Sequence, residues 1–272
     1  MRPRFSPAVI TIMIVVVVLA VGVFVGLYHL TKRAPRLAVD AEPICVVKTP
    51  EGDLRLTPEQ AQISATIAAV AARRRLPERA VVIAYGTALQ ESKLLNLDYG
   101  DRDSVGVFQQ RPSQGWGTKK QLQDPVYATN KFFSALVKVK DYHKMPLADA
   151  AQAVQRSAAG YAYAPHESDA KILAAAFTGR VPRAVDCWYP VKKTPAPKPR
   201  TTAARKQLAR ALGSTAITSK RRGWLVAAWW VAHAEKYAIT RVGYNGSVWH
   251  NDSENDGWRD GGTARARRVE LS

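Results

Sequence analysis

The sequence predicts a mainly α protein with an N-terminal transmembrane helix, an all-α domain and a small C-terminal α+β module. Three observations carry this. Residues Ala8–Tyr28 are almost wholly apolar. Between Thr57 and Gly179, helix-start signals precede apolar residues at helical spacing, and no run reads as a convincing strand. Near the C-terminus, Asn245-Gly246 separates two short runs rich in β-branched and aromatic residues, which signals a hairpin.

Residues 1–31 read as the anchor. Ala8–Tyr28 carries no charge and includes Val15-Val16-Val17-Val18. As a helix it reaches about 30 Å, enough to cross a bilayer. Three readings stand: a permanent single-pass anchor in the cytoplasmic membrane, a signal peptide cut near Val39-Asp40-Ala41, and a buried core helix. The long apolar run without a polar face favours the anchor. Arg2 and Arg4 precede it and Lys32, Arg33 and Arg36 follow it, so flanking charge does not set its orientation. Residues 32–42 read as a stalk.

The all-α domain spans residues 43–189. Thr57-Pro58-Glu59-Gln60 is a capping-box start with Pro at the first helical position. Ile63, Ile67 and Val70 then form one apolar face. A second helix opens near Pro77 and runs to Glu91, and Asp124-Pro125 opens a third. Pro146–Arg156 and His166–Phe177 read as two more, the last stopped by Gly179. Residues 190–222 read as a basic linker stiffened by Pro195, Pro197 and Pro199. Residues 223–259 read as the small module, with Trp224–Tyr237 helical, and 260–272 as a tail. Five of the module's residues are Trp; they read as core for so small a unit, or as a surface for stacking on sugars.

Cys45 and Cys187 lie near the two ends of the all-α domain, bracketing its helical stretch, and those ends should lie close together. They read as a disulfide, with two free buried thiols as the alternative. A disulfide places the bulk of the chain outside the cytoplasm. The formal net charge is +18, and Val191–Arg222 holds ten Lys/Arg and no Asp/Glu. No zinc-ligand spacing, interleaved aromatics or nucleic-acid reading motif accompanies it, so no nucleic-acid partner is expected. Anionic wall polymers or lipid heads are the expected partners of this charge, or it is a solvated spacer. Five His and two Cys show no metal-ligand spacing, and no metal or cofactor is expected.

The strongest chemical signal is Glu91-Ser92 followed fifteen residues on by Gly106-Val107-Phe108-Gln109. Glu91 closes the apolar run Val81–Gln90, where burial can keep a carboxylic acid protonated. Cleaving a glycosidic bond needs such a proton donor. The pattern resembles the Glu-Ser … Gly-Leu-Met-Gln motif of soluble lytic transglycosylases, which have a lysozyme-like fold. The resemblance covers Thr57–Gly179, and the stretch Tyr99–Pro112 is similar to an actinobacterial, membrane-anchored branch. The family's later Ala-Tyr-Asn-Ala-Gly motif is not intact; its nearest counterpart is Ala153–Tyr161.

The resemblance implies a lysozyme-like domain that cleaves peptidoglycan glycan strands at the MurNAc–GlcNAc β-1,4 bond. Glu91 would act first as acid, then as base. Ser92, Tyr99, Gly106, Phe108, Gln109 and Gln110 would hold the sugar, together with a cleft tyrosine at Tyr161 or, alternatively, Tyr163. A hydrolytic muramidase would need a second carboxylate, for which Asp98, Asp101 and Asp103 are the candidates. Two readings without catalysis also stand: a glycan-binding protein and a structural anchor.

Overall fold

The computed structural model describes residues 13, 16, 19–24, 42–155, 160–190, 197–252, 257–261 and 268–272. It divides into two units, Met1–Ala41 and Glu42–Ser272. In the first unit the described residues are helical and their apolar side chains exposed. No helix among the described residues is long and apolar enough to cross a membrane. The expected transmembrane helix is therefore not part of the described fold; most of 8–28 lies outside the described residues, as does nearly all of the stalk.

The second unit corrects the all-α expectation. Among its described residues are two antiparallel sheets, one of three strands and one of four. The first is built from the ends of the expected helical domain: β1 (Ile44–Thr49), β2 (Gly52–Leu56) and β3 (Val185–Trp188), in the order β2-β1-β3. Alternation along Ile44-Cys45-Val46-Val47 turns Cys45 and Val47 into the core. Cys45 is the register partner of Cys187, and their sulfurs are bonded. The strands lie just outside the stretch whose helical periodicity suggested an all-α domain, and β1 finds its second partner only through a contact spanning 142 residues.

Within that stretch the helices follow their local signals. Helix α1 (Pro58–Arg73) starts at a complete capping box between Thr57 and Gln60. It is buried on almost all sides from Ala61 to Ala71 because other helices surround it. Helix α2 (Glu78–Ser92) packs beside it, and the Tyr85 hydroxyl donates to Ser64 O at 2.8 Å. Lys93 and Leu94, both at positive φ, end α2 in a left-handed cap. Then follow α3 (Lys119–Leu122), α4 (Pro125–Leu136, capped by Asp124), α5 (Leu147–Gln155), a 3₁₀ segment (Gly160–His166) and α6 (Glu167–Phe177).

The expected linker and tail are also corrected. Helix α7 (Thr201–Leu212) lies inside the basic run and packs on α1, burying Ala204, Leu208, Ala211 and Leu212. The charges of the basic run are partly neutralised in place: Arg210 of α7 pairs with Asp124, and Arg221 further on with Glu78 at 2.6 Å. Helix α8 (Lys220–Ala232) packs on α1 and α6, and α9 (Ala234–Tyr237) follows. The second sheet has the order β6-β5-β4-β7, from β4 (Arg241–Tyr244), β5 (Ser247–His250), β6 (Trp258–Asp260) and β7 (Glu270–Leu271). Asn245 and Gly246, both at positive φ, make the tight turn between β4 and β5. Strand β7 comes from the expected tail: Val269 is buried, and Ser272 O accepts from the amides of Thr240 and Arg241. Trp224, Trp229, Trp230, Trp249 and Trp258 are all core residues. Two of them reach the first sheet, Trp249 Nε1 donating to Asp186 Oδ1 at 2.9 Å and Trp258 Nε1 to Val185 O at 2.7 Å.

Candidate active site

Glu91 stands in the last turn of α2, just before the left-handed cap, and is half-buried. It borders a cleft of about 430 Å³ lined also by Asp101, Ser104, Gln109, Gln110, Arg111, Gln114, Trp116 and Gln155. The lining is mostly amide, hydroxyl and charged groups with one indole, a set suited to hydroxyl- and amide-rich ligands. The Tyr163 hydroxyl donates to Glu91 Oε1 at 2.7 Å. Tyr163 is 2% exposed and comes from the 3₁₀ segment, which packs on α2. The carboxyl group is thus held on one side by a buried phenol. Next to it, His166 Nε2 and Gln90 Oε1 are 3.0 Å apart, and burial pulls the His166 imidazole below its ordinary pKa.

The loop facing Glu91 is a tight reversal. Val105 and Gln110 exchange backbone bonds, N to O, at 3.1 Å in both directions. Gly106 has φ +80°, and a Cβ there would lie 2.4 Å from Leu122 O. Only glycine fits that approach without a shift. Ser92 Oγ donates to Val107 O at 2.8 Å, which ties the loop to the end of α2. This bond gives the Glu-Ser … Gly-Val-Phe-Gln spacing a physical basis: Ser92 fixes the loop opposite the neighbouring glutamate.

Several residues expected to hold the sugar are bonded or packed within the protein. Ser92 is buried and bonded within the protein. Phe108 is fully buried and stacks on Phe132 with ring centres 4.5 Å apart. Gln109 borders the cleft, yet its amide bridges Tyr99 O and Gly106 O and accepts from Ser104 Oγ. Gln110 is 2% exposed; its Nε2 reaches Ala128 O at 3.4 Å, while its Oε1 is buried without a hydrogen-bond partner among the described residues. Tyr99 is exposed and does not border the cleft. The side chain of Tyr161 lies outside the described residues, as do Arg156–Ala159; the tyrosine placed on Glu91 is Tyr163.

The three loop aspartates separate. Asp103 accepts from Arg111 Nε at 2.7 Å and from Ser113 N and Oγ. The Arg111 guanidinium, with the Ser113 amide, holds its carboxyl well below the usual carboxylate range. It is committed to the loop. Asp98 is exposed, and Asp101 borders the cleft with Glu91.

No protein-family model and no curated protein matches the chain.

Sequence reasoning did not single out Trp116, Gln114 and Gln155 as cleft residues. Gln155 Nε2 donates to Phe108 O at 2.6 Å and so braces the loop from α5. A Gln at the end of a helix carries no local signal of this. Trp116, a large aromatic set between Gly115 and Gly117 in a polar stretch, does. Among the described residues no group of three His, Cys, Asp or Glu side chains is arranged to hold a metal.

Proposed function

We propose that this chain is a lytic transglycosylase that cleaves peptidoglycan glycan strands between N-acetylmuramic acid and N-acetylglucosamine. The observation that carries the reading is the half-buried Glu91 carboxyl beside a polar cleft, bonded to the buried Tyr163 hydroxyl. In the first step the Glu91 carboxyl protonates the glycosidic oxygen as the C1–O bond breaks. In the second the Glu91 carboxylate takes the proton of the muramoyl C6 hydroxyl, whose oxygen closes on C1. The products are a free 4-hydroxyl end and a 1,6-anhydro end, and no water is consumed. The Tyr163 O–H bond holds the carboxylate through this change of role, and Trp116 offers an apolar face to a sugar ring.

A hydrolytic muramidase is the second reading, and Asp101 is the observation that favours it, because its side chain borders the same cleft. The disulfide supports a position outside the cytoplasm, where such bonds persist. Digestion of purified peptidoglycan, with the soluble products identified by mass, tests the proposal. Anhydro-muropeptides are expected; reducing ends, heavier by one water, would replace the proposal with the muramidase. Glu91→Gln is expected to lower turnover by about two to four orders of magnitude, the usual contribution of a general acid. Undiminished turnover in that variant, folded by circular dichroism, would remove Glu91 from the mechanism.

A further inference from the structure

We propose that a second cleft, sharing no residue with the first, binds phosphate groups of an anionic polymer. It encloses about 430 Å³ and its polar walls are Arg180, Arg183, Lys220, Arg221, Asn245 and Ser247. Four cations line it and no carboxylate does. They come from two places, the segment between α6 and β3 and the start of α8, and the β4–β5 hairpin adds the polar groups of Asn245 and Ser247.

The acids paired with these cations fix them without filling the cleft. Glu78 accepts from Arg180 Nε at 3.0 Å and from Arg221 Nη2 at 2.6 Å, and Glu51 accepts from Arg180 Nη2 at 2.5 Å. Arg221 also donates to Thr178 O and Oγ1. Among the described residues, Nη1 of each of these two arginines has no acceptor. Two guanidinium planes are therefore immobilised in advance with donors to spare. A preorganised cation loses less freedom on binding, and its fork of N–H groups matches phosphate oxygens. Arg183 pairs with Asp260, whose side chain is 87% exposed, and Lys220 forms no ion pair among the described residues.

Geometry selects phosphate over carboxylate. A tetrahedral group presents oxygens in several directions and can meet the cations of both segments and the polar groups of the hairpin at once; a planar carboxylate has two oxygens in one plane. The choice of a polymer over a membrane rests on the apolar surface. Among the described residues of Glu42–Ser272 the exposed large hydrophobic residues are Tyr99 and Val137, and neither borders this cleft. A membrane-docking face would carry apolar anchors around its cations. The net charge of +18 adds long-range attraction for a polyanion.

The test uses the full chain and its Arg183→Ala/Lys220→Ala variant, titrated calorimetrically with poly(glycerol phosphate), inorganic phosphate and polygalacturonate. Lys138→Ala/Lys140→Ala removes the same charge elsewhere. Binding of poly(glycerol phosphate) by the wild type is expected to weaken at least about tenfold in Arg183→Ala/Lys220→Ala, the size of one lost charged hydrogen bond. The control variant is expected to stay within about twofold, since removing exposed charge at a distance is a screened effect. Inorganic phosphate is expected to compete with the polymer. Absence of wild-type binding, equal weakening in both variants, or equal affinity for polygalacturonate would overturn the proposal. So would flotation on phosphatidylglycerol vesicles that needs Arg183 and Lys220 while polymer binding does not. The proposal does not rest on the glycan-cleavage reading, so peptidoglycan digestion by Arg183→Ala/Lys220→Ala is expected at the wild-type rate whatever the titration gives.

Discussion

Replacing Tyr163 with phenylalanine deletes one oxygen from the candidate active site. The ring is 2% exposed, so its packing holds the remaining side chain in place. The 2.7 Å bond from the hydroxyl to Glu91 Oε1 is lost. A hydrogen bond to a charged group contributes about 1.5–3 kcal/mol. Were that bond fully expressed in holding Glu91 in its reactive position, turnover would fall roughly 10- to 150-fold. The loss should fall on kcat and leave KM nearly unchanged, because the phenol acts through Glu91. The assay is the rate of release of soluble muropeptides from purified peptidoglycan, alongside thermal melting. Tyr161→Phe is the matched control and is expected to behave as wild type. Wild-type turnover in Tyr163→Phe, or a larger loss in Tyr161→Phe, would refute the assignment of Tyr163 as the residue positioning the acid.

Three further outcomes are expected. Reducing and alkylating Cys45 and Cys187, 142 residues apart, should cost about 5 kcal/mol in the chain-entropy account. For a unit of about 230 residues this lowers the melting temperature by about 10 °C; an unchanged melt after confirmed alkylation would contradict it. Gly106→Ala sets a side chain at φ +80° and 2.4 Å from a backbone oxygen, so urea unfolding should show a loss of at least about 1–3 kcal/mol. Burial depresses the His233 imidazole to about 3, while the unfolded chain takes up that proton near 6.5. Stability from this site is therefore whole above about pH 6.5 and shrinks as pH falls toward 3, where the folded group also protonates. His233→Phe, which keeps a ring against Trp229, should flatten that slope in denaturant melts at about pH 7 and about pH 4.5; an unchanged slope would show that His233 is not its source.

Features legible in the sequence depend on a few neighbouring residues. The Thr57 capping box, the Asp124 cap and the Asn245-Gly246 turn stand where their local patterns place them. A cap or a tight turn is decided by side chains within four residues, whatever the rest of the chain does. The position of Glu91 at the end of a buried helix was legible for the same reason. The basic run misled, because charge density and prolines describe an isolated chain. Helix α7 forms there with Ala204, Leu208 and Ala211 on one face against α1, and the distant Asp124 pairs with its Arg210.

By itself, then, the sequence determined the helices between Thr57 and Phe177, the hairpin turn, and the residue types at the candidate site. Tertiary structure alone decided the partners. It brought β1 to β3 across 142 residues and paired the last residues of the chain with β4. It turned Ser92 and Phe108 inward to hold the loop, and set Tyr163 on Glu91 from 72 residues away. The physical reason is common to all four. A helix can be stabilised by bonds within four residues, whereas a strand edge, a buried phenol or a loop carbonyl is satisfied only by whichever group the collapsed chain delivers to it.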